Sequence, residues 1–399
     1  MTRNDSFLIK LIFSSIAISL FLMIFLTAIG MYFALFGIII SAFIVRFLLS
    51  KELRDSLQKD LFKSLNTQDT LWIFLIFISV FTWAIFDNSF LLIDKYNLYW
   101  LNIENAYQIM LVYFLAKAFF SLSRYLSFKL ESSLRYFFFL ISLSYVIDWF
   151  YSLSKSFYLE YYRWDGSSGN PNIWAIQSSL IFISLIYYFS KSKFTWSFFN
   201  IFFLLATALS LVGVLKAFSL ASFIGLGLAL LSFLLFKLFK EKGLNVYRIA
   251  LCLFFCFVLS LIYFAEPQWT QDSNFYLLKK FLPRLKLWNH FDDLISNFSL
   301  INFVFGLGTV EYKSWLESLA RDDFNHTHNM FYHLFFQFGF LGLVSNSIFY
   351  FKVFFSRYLY ALGIYFLVVA LFDVSLLVGE SLNLFFCLIP ALTLVHSQD

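Results

Sequence analysis

The sequence predicts an all-α polytopic membrane protein with about twelve transmembrane helices and one long outer loop between helices 9 and 10. Three observations carry this. Of the 399 residues 61% are hydrophobic and only 13% charged, about half the charged share of a soluble domain. Many apolar runs reach roughly 18 residues, enough to span the hydrocarbon core of a bilayer. Basic residues recur in alternate connections, which sets an orientation.

The expected spans run at 8–28, 31–49, 71–88, 106–122, 134–152, 173–190, 197–214, 217–236, 249–265, 329–349, 359–378 and 383–397. The first two form a hairpin turned at Ala28, Ile29 and Gly30. One side carries Arg3 and Lys10, then Lys51, Arg54, Lys59 and Lys63, then Arg124, Lys129 and Arg135. It continues with Lys191 and Lys193, then Lys237, Lys240, Lys242 and Arg248, then Lys352 and Arg357. The positive-inside rule makes this side cytoplasmic, with both termini inside. The first span lacks a small-residue cleavage site and is expected to be retained. No internal repeat or separate soluble domain is visible, so residues 1–399 are expected to form a single integral membrane domain.

The opposite side holds connections near 89–105, 153–172 and 266–328. The last is too long for a tight turn, and such loops are usually functional or disordered. Its aromatic content, including Trp269, Phe275, Phe281 and Trp288, argues against disorder. Leu287, Phe291, Leu294, Ile295 and Phe298 recur at helical spacing, with Lys286, Asp292, Asp293 and Asn297 between them. This reads as an amphipathic helix on or in the outer interface.

Several function classes drop out. The net charge of +5 is spread over short loops and does not mark a nucleic-acid surface. Cys252, Cys256 and Cys387 lie in apolar segments without metal or redox spacing, and an odd count implies no disulfide framework. The 59 Phe and 23 Tyr fill lipid-facing positions that accept any large apolar side chain.

Basic residues on the outer side run against the topology, and three stand out. Arg163 opens Arg163-Trp-Asp-Gly166-Ser-Ser-Gly-Asn170-Pro-Asn172, where Asn170 or Asn172 can cap the sixth span. The same turn could present Arg163 and free helix-start N–H groups to an anion. Lys216 sits in the brief break between the seventh and eighth spans, either snorkelling to the interface or meeting phosphate. Arg284, in Leu282-Pro-Arg-Leu-Lys-Leu-Trp288, offers a planar fork to phosphate oxygens or to anionic headgroups.

Four of the five histidines, His290, His326, His328 and His333, fall in or beside the long loop. Histidine suits proton transfer near neutral pH. His326 and His328 immediately precede the tenth span. Three readings compete: a metal site, interfacial histidines without chemistry, and a general base beside a phosphate-binding Arg. The spacing fits no strong zinc pattern. Gly339 and Gly342 most simply allow close helix packing.

From His328 the chain reads His-Asn329, nine residues, Gly339, two residues, Gly342. This resembles the signature of bacterial O-antigen ligases, within the O-antigen ligase and polymerase superfamily. Arg163, Gly166 and Asn170-Pro-Asn172, and Arg284 to Trp288 followed by Phe305-Gly-Leu-Gly308, are similar to further family segments. Lys216 stands where the family often has Ser-Arg-Gly, and Gln337 where an acid often precedes the Gly-x-x-Gly end. The resemblance implies a GT-C-like glycosyltransferase of the bacterial inner membrane, with its site on the periplasmic face in the loop 266–328. It implies transfer of polysaccharide from undecaprenyl pyrophosphate to a sugar hydroxyl of lipid A-core, with inversion and without metal or cofactor. His328 would act as base. Arg284, aided by Arg163 and Lys216, would hold the pyrophosphate. Asn170 and Asn172 would contact substrate, and His326 and Asn329 would orient His328 or the acceptor. A polymerase and a protein O-oligosaccharyltransferase are the rival transferases. A lipid-linked glycan transporter would instead want charges near the bilayer midplane, whereas Asp87, Asp148 and Asp373 fall towards outer span ends.

Overall fold

The computed structural model describes residues 3–25, 36–64, 98–126, 130–159, 170–191, 195–217, 219–239, 291, 294–307, 329–355, 359–372 and 379–396. Every regular element among them is helical, and the protein is a polytopic helical membrane protein. In chain order the helices are α1 (Arg3–Phe25), α2 (Phe36–Leu48), α3 (Lys51–Ser64), α4 (Leu98–Tyr125), α5 (Leu130–Leu159) and α6 (Pro171–Lys191). Then come α7 (Phe198–Ala217), α8 (Leu220–Phe239), α9 (Leu300–Phe305), α10 (Met330–Phe355), α11 (Tyr360–Phe372) and α12 (Gly379–His396).

The stretches Asn4–Leu22, Glu131–Ser154, Pro171–Lys191 and Phe198–Ala217 are long and apolar enough to cross a bilayer. Shorter apolar helices cover Phe36–Leu48, Ala221–Leu235, Met330–Val344 and Tyr360–Leu371. The expected spans 71–88 and 249–265, and most of the expected loop 266–328, lie outside the described residues. Helix α4 begins at Leu98 and α5 runs on to Leu159, into segments read from sequence as connections. A helical hydrogen-bond ladder does not stop where the apolar run stops.

Contacts divide the chain into two compact units. The first comprises Met1–Phe77, Asn97–Phe223 and Ser375–Asp399; the second comprises Ile78–Tyr96 and Ile224–Val374. In the first unit α6 is central: 83% of its span is buried, against 33% for α1 and α7. Helices α7 and α12 pack on it, and α12 also packs on α4. Hydroxyls in these apolar helices donate to their own ladder, as Ser144 does to the Leu140 carbonyl, Ser184 to Leu180 and Thr207 to Phe203. This satisfies a polar group that hydrocarbon would otherwise strand. At the basic end, α3 is a polar helix. Its preceding Ser50 donates N–H and hydroxyl to the buried Asp5 carboxylate, and Tyr125 donates to Asp60.

In the second unit α10 packs along α11, and Gly225 of α8 lies against the Tyr365 ring of α11. The described part of the long loop lies on α10, where α9 packs.

Candidate functional site

The residue after the sequence-predicted base is a helix cap. Asn329 is buried, and its Oδ1 accepts from the amides of Phe331 at 2.9 Å and Tyr332 at 3.1 Å. Its Nδ2 donates to the Leu371 carbonyl near the end of α11 at 3.2 Å. One side chain therefore satisfies the first turn of α10 and ties it to α11. Asn329 thus fixes the start of α10. His326 and His328 lie outside the described residues.

The amphipathic pattern in the loop finds its partner on α10. Phe291, only 1% exposed, packs at a steep tilt on the Tyr332 ring, centroids 4.6 Å apart, and edge-on to Phe336 at 4.8 Å. Leu294, Ile295 and Phe298 join the same cluster, with Phe335 beneath, while Ser296 and Asn297 face outward. The apolar face read from sequence as interfacial is, over these residues, the packing surface for α10. Arg284 lies outside the described residues, seven positions before Phe291.

Two glycines then join backbone to backbone. Ser299 caps α9, its Oγ accepting from the Asn302 amide at 3.1 Å, and Gly306 ends it at φ 87°. Helix α10 is broken at Gly339, which takes φ 68° and ψ −166°. Both values lie in the region that glycine enters without penalty. A Cβ on Gly306 would strike the Gln337 carbonyl and the Gly339 amide nitrogen, and one on Gly339 would strike Val304 backbone and the Gly306 nitrogen. Past the turn, Leu307 N–H donates to the Phe336 carbonyl at 2.7 Å. In an unbroken helix that carbonyl would bond the amide of residue 340; here a loop amide takes the place. Gly342 is needed for a third reason: its Cβ would collide with the Phe338 side chain. Of the two glycines read as helix-packing residues, Gly339 serves the break and the close approach of α9, while Gly342 makes room for Phe338 of its own helix.

In the first unit, Asn170 caps α6 as its Asn-Pro-Asn pattern predicts. Its Oδ1 accepts from the Asn172 amide at 2.9 Å, and Pro171 opens the helix. Lys216 is exposed in the last turn of α7, where the helix dipole favours a cation. Helices α6 and α7 pack together and are joined by a short connection, and Gly213 lies beside the Trp174 ring. The unit therefore brings Asn170, Asn172 and Lys216 to one end. Arg163 lies outside the described residues.

Beneath that end lies a polar network that sequence reading missed. The Trp174 indole N–H donates to Asp148 at 2.9 Å, and the Tyr145 hydroxyl bonds Ser178 at 2.8 Å. Tyr145 and Trp174 stack at 6.2 Å, and all four residues are buried. A lone acid in an apolar span was the available signal; its partner on another helix was not readable. Among the described residues no group of three or more His, Cys, Asp or Glu side chains is placed to hold a metal ion.

Residues 205–346 match the family model described as O-Antigen ligase. The match runs from within α7 to within α10. It takes in Lys216, Arg284, His326, His328, Asn329, Gly306, Gly339 and Gly342, and begins after Arg163, Asn170 and Asn172. No curated protein matches the chain.

Proposed function

We propose, from the match of residues 205–346 to the O-antigen ligase family model, that the chain joins a lipid-linked polysaccharide to lipid A-core. The donor is the glycan on undecaprenyl pyrophosphate, and the acceptor is a core sugar hydroxyl on the periplasmic face of the bacterial inner membrane. A sugar hydroxyl is a poor nucleophile, so a base must take its proton as the bond to the anomeric carbon forms; His328 has that role. The leaving pyrophosphate develops charge, which Arg284 stabilises with its planar fork, assisted by Arg163 and Lys216. Direct attack inverts the anomeric centre. The donor is already activated, so the reaction asks for neither nucleotide nor metal. Residues 1–399 act as one membrane domain, with the loop 266–328 carrying the chemistry.

One observation carries this reading. Residues 291 and 294–307 of the loop are fastened to α10 by Phe291, Phe298 and the Gly306–Gly339 contact, and α10 begins at Met330, two positions after His328 in sequence. Two distant stretches of sequence, this part of the loop and the first half of α10, are thereby joined. The test is a lipopolysaccharide gel of a deletion strain, with lipid-linked glycan extracted in parallel. Bare core with full-length polymer left on its lipid carrier is the expected result. Core bearing a single repeat would make the protein a polymerase, and unchanged lipopolysaccharide would remove both readings.

A further inference from the structure

The contact between Gly306 and Gly339 is tighter than loop docking requires, and it uses three devices at once. Both residues take positive φ, and each occupies the space that a Cβ on the other would need. The Leu307 amide bonds the Phe336 carbonyl at the break in α10. Aromatic rings flank the contact on both sides, with Phe303 stacked on Phe340 at 5.9 Å and Phe298 on Phe335 at 5.9 Å. A loop held by side chains alone would slide within its rotamers; backbone held against backbone has one register.

We infer that Gly306 and Gly339 form a fixed clasp that holds residues 294–307 of the long loop in one register on α10 throughout turnover. Neither glycine touches substrate; both are positioning residues, and the inference rests on the proposed roles of Arg284 and His328. The clasp belongs where a misplacement of about 1 Å can cost on the order of 100-fold in rate.

The test uses the full chain in lipid nanodiscs, measuring transfer from the lipid-pyrophosphate donor at saturating and limiting donor. Gly306→Ala and Gly339→Ala are expected to lower kcat by at least about tenfold, with the KM for donor within about threefold. A second measurement keeps the inference testable if these variants fold poorly. With the native cysteines replaced by alanine, Phe303→Cys and Phe340→Cys are bridged by a short bifunctional maleimide. The bridged protein is expected to keep at least half its rate, and in the Gly306→Ala background the bridge is expected to restore most of the lost kcat. Folded glycine variants with native kcat would overturn the clasp, as would a bridge that stops turnover or one that fails to rescue Gly306→Ala. Effects are read as ratios to the unmodified chain. A wrong acceptor therefore shows in that chain and refutes the ligase reading, while a failed clasp shows only in the variants.

Discussion

The α6–α7 end of the first unit and the loop–α10 junction of the second are fastened in opposite ways. In the first, polar side chains hold helices together: Asp148 to Trp174, Tyr145 to Ser178, and Asn170 across the first turn of α6. In the second, backbone and rings do the holding: Gly306 on Gly339, Leu307 N–H on the Phe336 carbonyl, and Phe291 among Tyr332 and Phe336. The difference separates structural polarity from chemical polarity. Where hydrogen-bonding side chains are spent on packing, their loss costs stability. Where the fastening is apolar and main-chain, the contact itself draws on no charged side chain.

The sharpest break in that contrast is His328→Ala. General-base loss is expected to lower transfer by about 100- to 10,000-fold, with the amount of membrane-inserted protein unchanged. Near-native transfer by this variant would sink the base assignment.

Asp148→Ala should behave the other way. It strands the buried Trp174 N–H and is expected to destabilise the first unit by about 1–3 kcal/mol. Asp148→Asn, which still offers an oxygen to the indole, should cost much less. Thermal unfolding in detergent checks both, and equal losses would mean that the carboxylate charge, not the hydrogen bond, is what counts.

Gly213→Ala places a methyl against the Tyr145 hydroxyl and the Ser178 Oγ, an overpacking worth about 1–3 kcal/mol. Adding Tyr145→Phe should recover part of it. Strict additivity of the two substitutions would show that they do not meet.

The smallest effect belongs to the cap. Asn170→Ala is expected to cost about 1 kcal/mol and Asn170→Asp only a fraction of that. A large loss of transfer in Asn170→Ala with stability intact would move Asn170 from the structural class to the chemical one.

The helices and their polar ends were legible where the signal is local. Apolar runs mark membrane helices because hydrocarbon admits little else, and Asn170-Pro171-Asn172 marks a helix start because Pro suits its first turn. The face of Phe291, Leu294, Ile295 and Phe298 was legible too, but not its cover: lipid and an apolar helix select the same side chains. The pairing of Gly306 with Gly339 could not be read, since a glycine signals conformational freedom without naming the backbone that approaches it. Asp148 and Trp174 stand on different helices, so only packing joins them. His326, His328, Arg284 and Arg163 lie outside the described residues, and their roles rest on residue chemistry and family resemblance.

The most direct test of the base and cation assignment is single-turnover transfer by full-length protein in nanodiscs, with donor binding measured on the same samples. His328→Ala and Arg284→Ala are predicted to bind lipid-pyrophosphate glycan, Arg284→Ala more weakly, and to release almost no glycan to lipid A-core. Transfer by His328→Ala within a few-fold of the unsubstituted chain would contradict base catalysis from the start of α10.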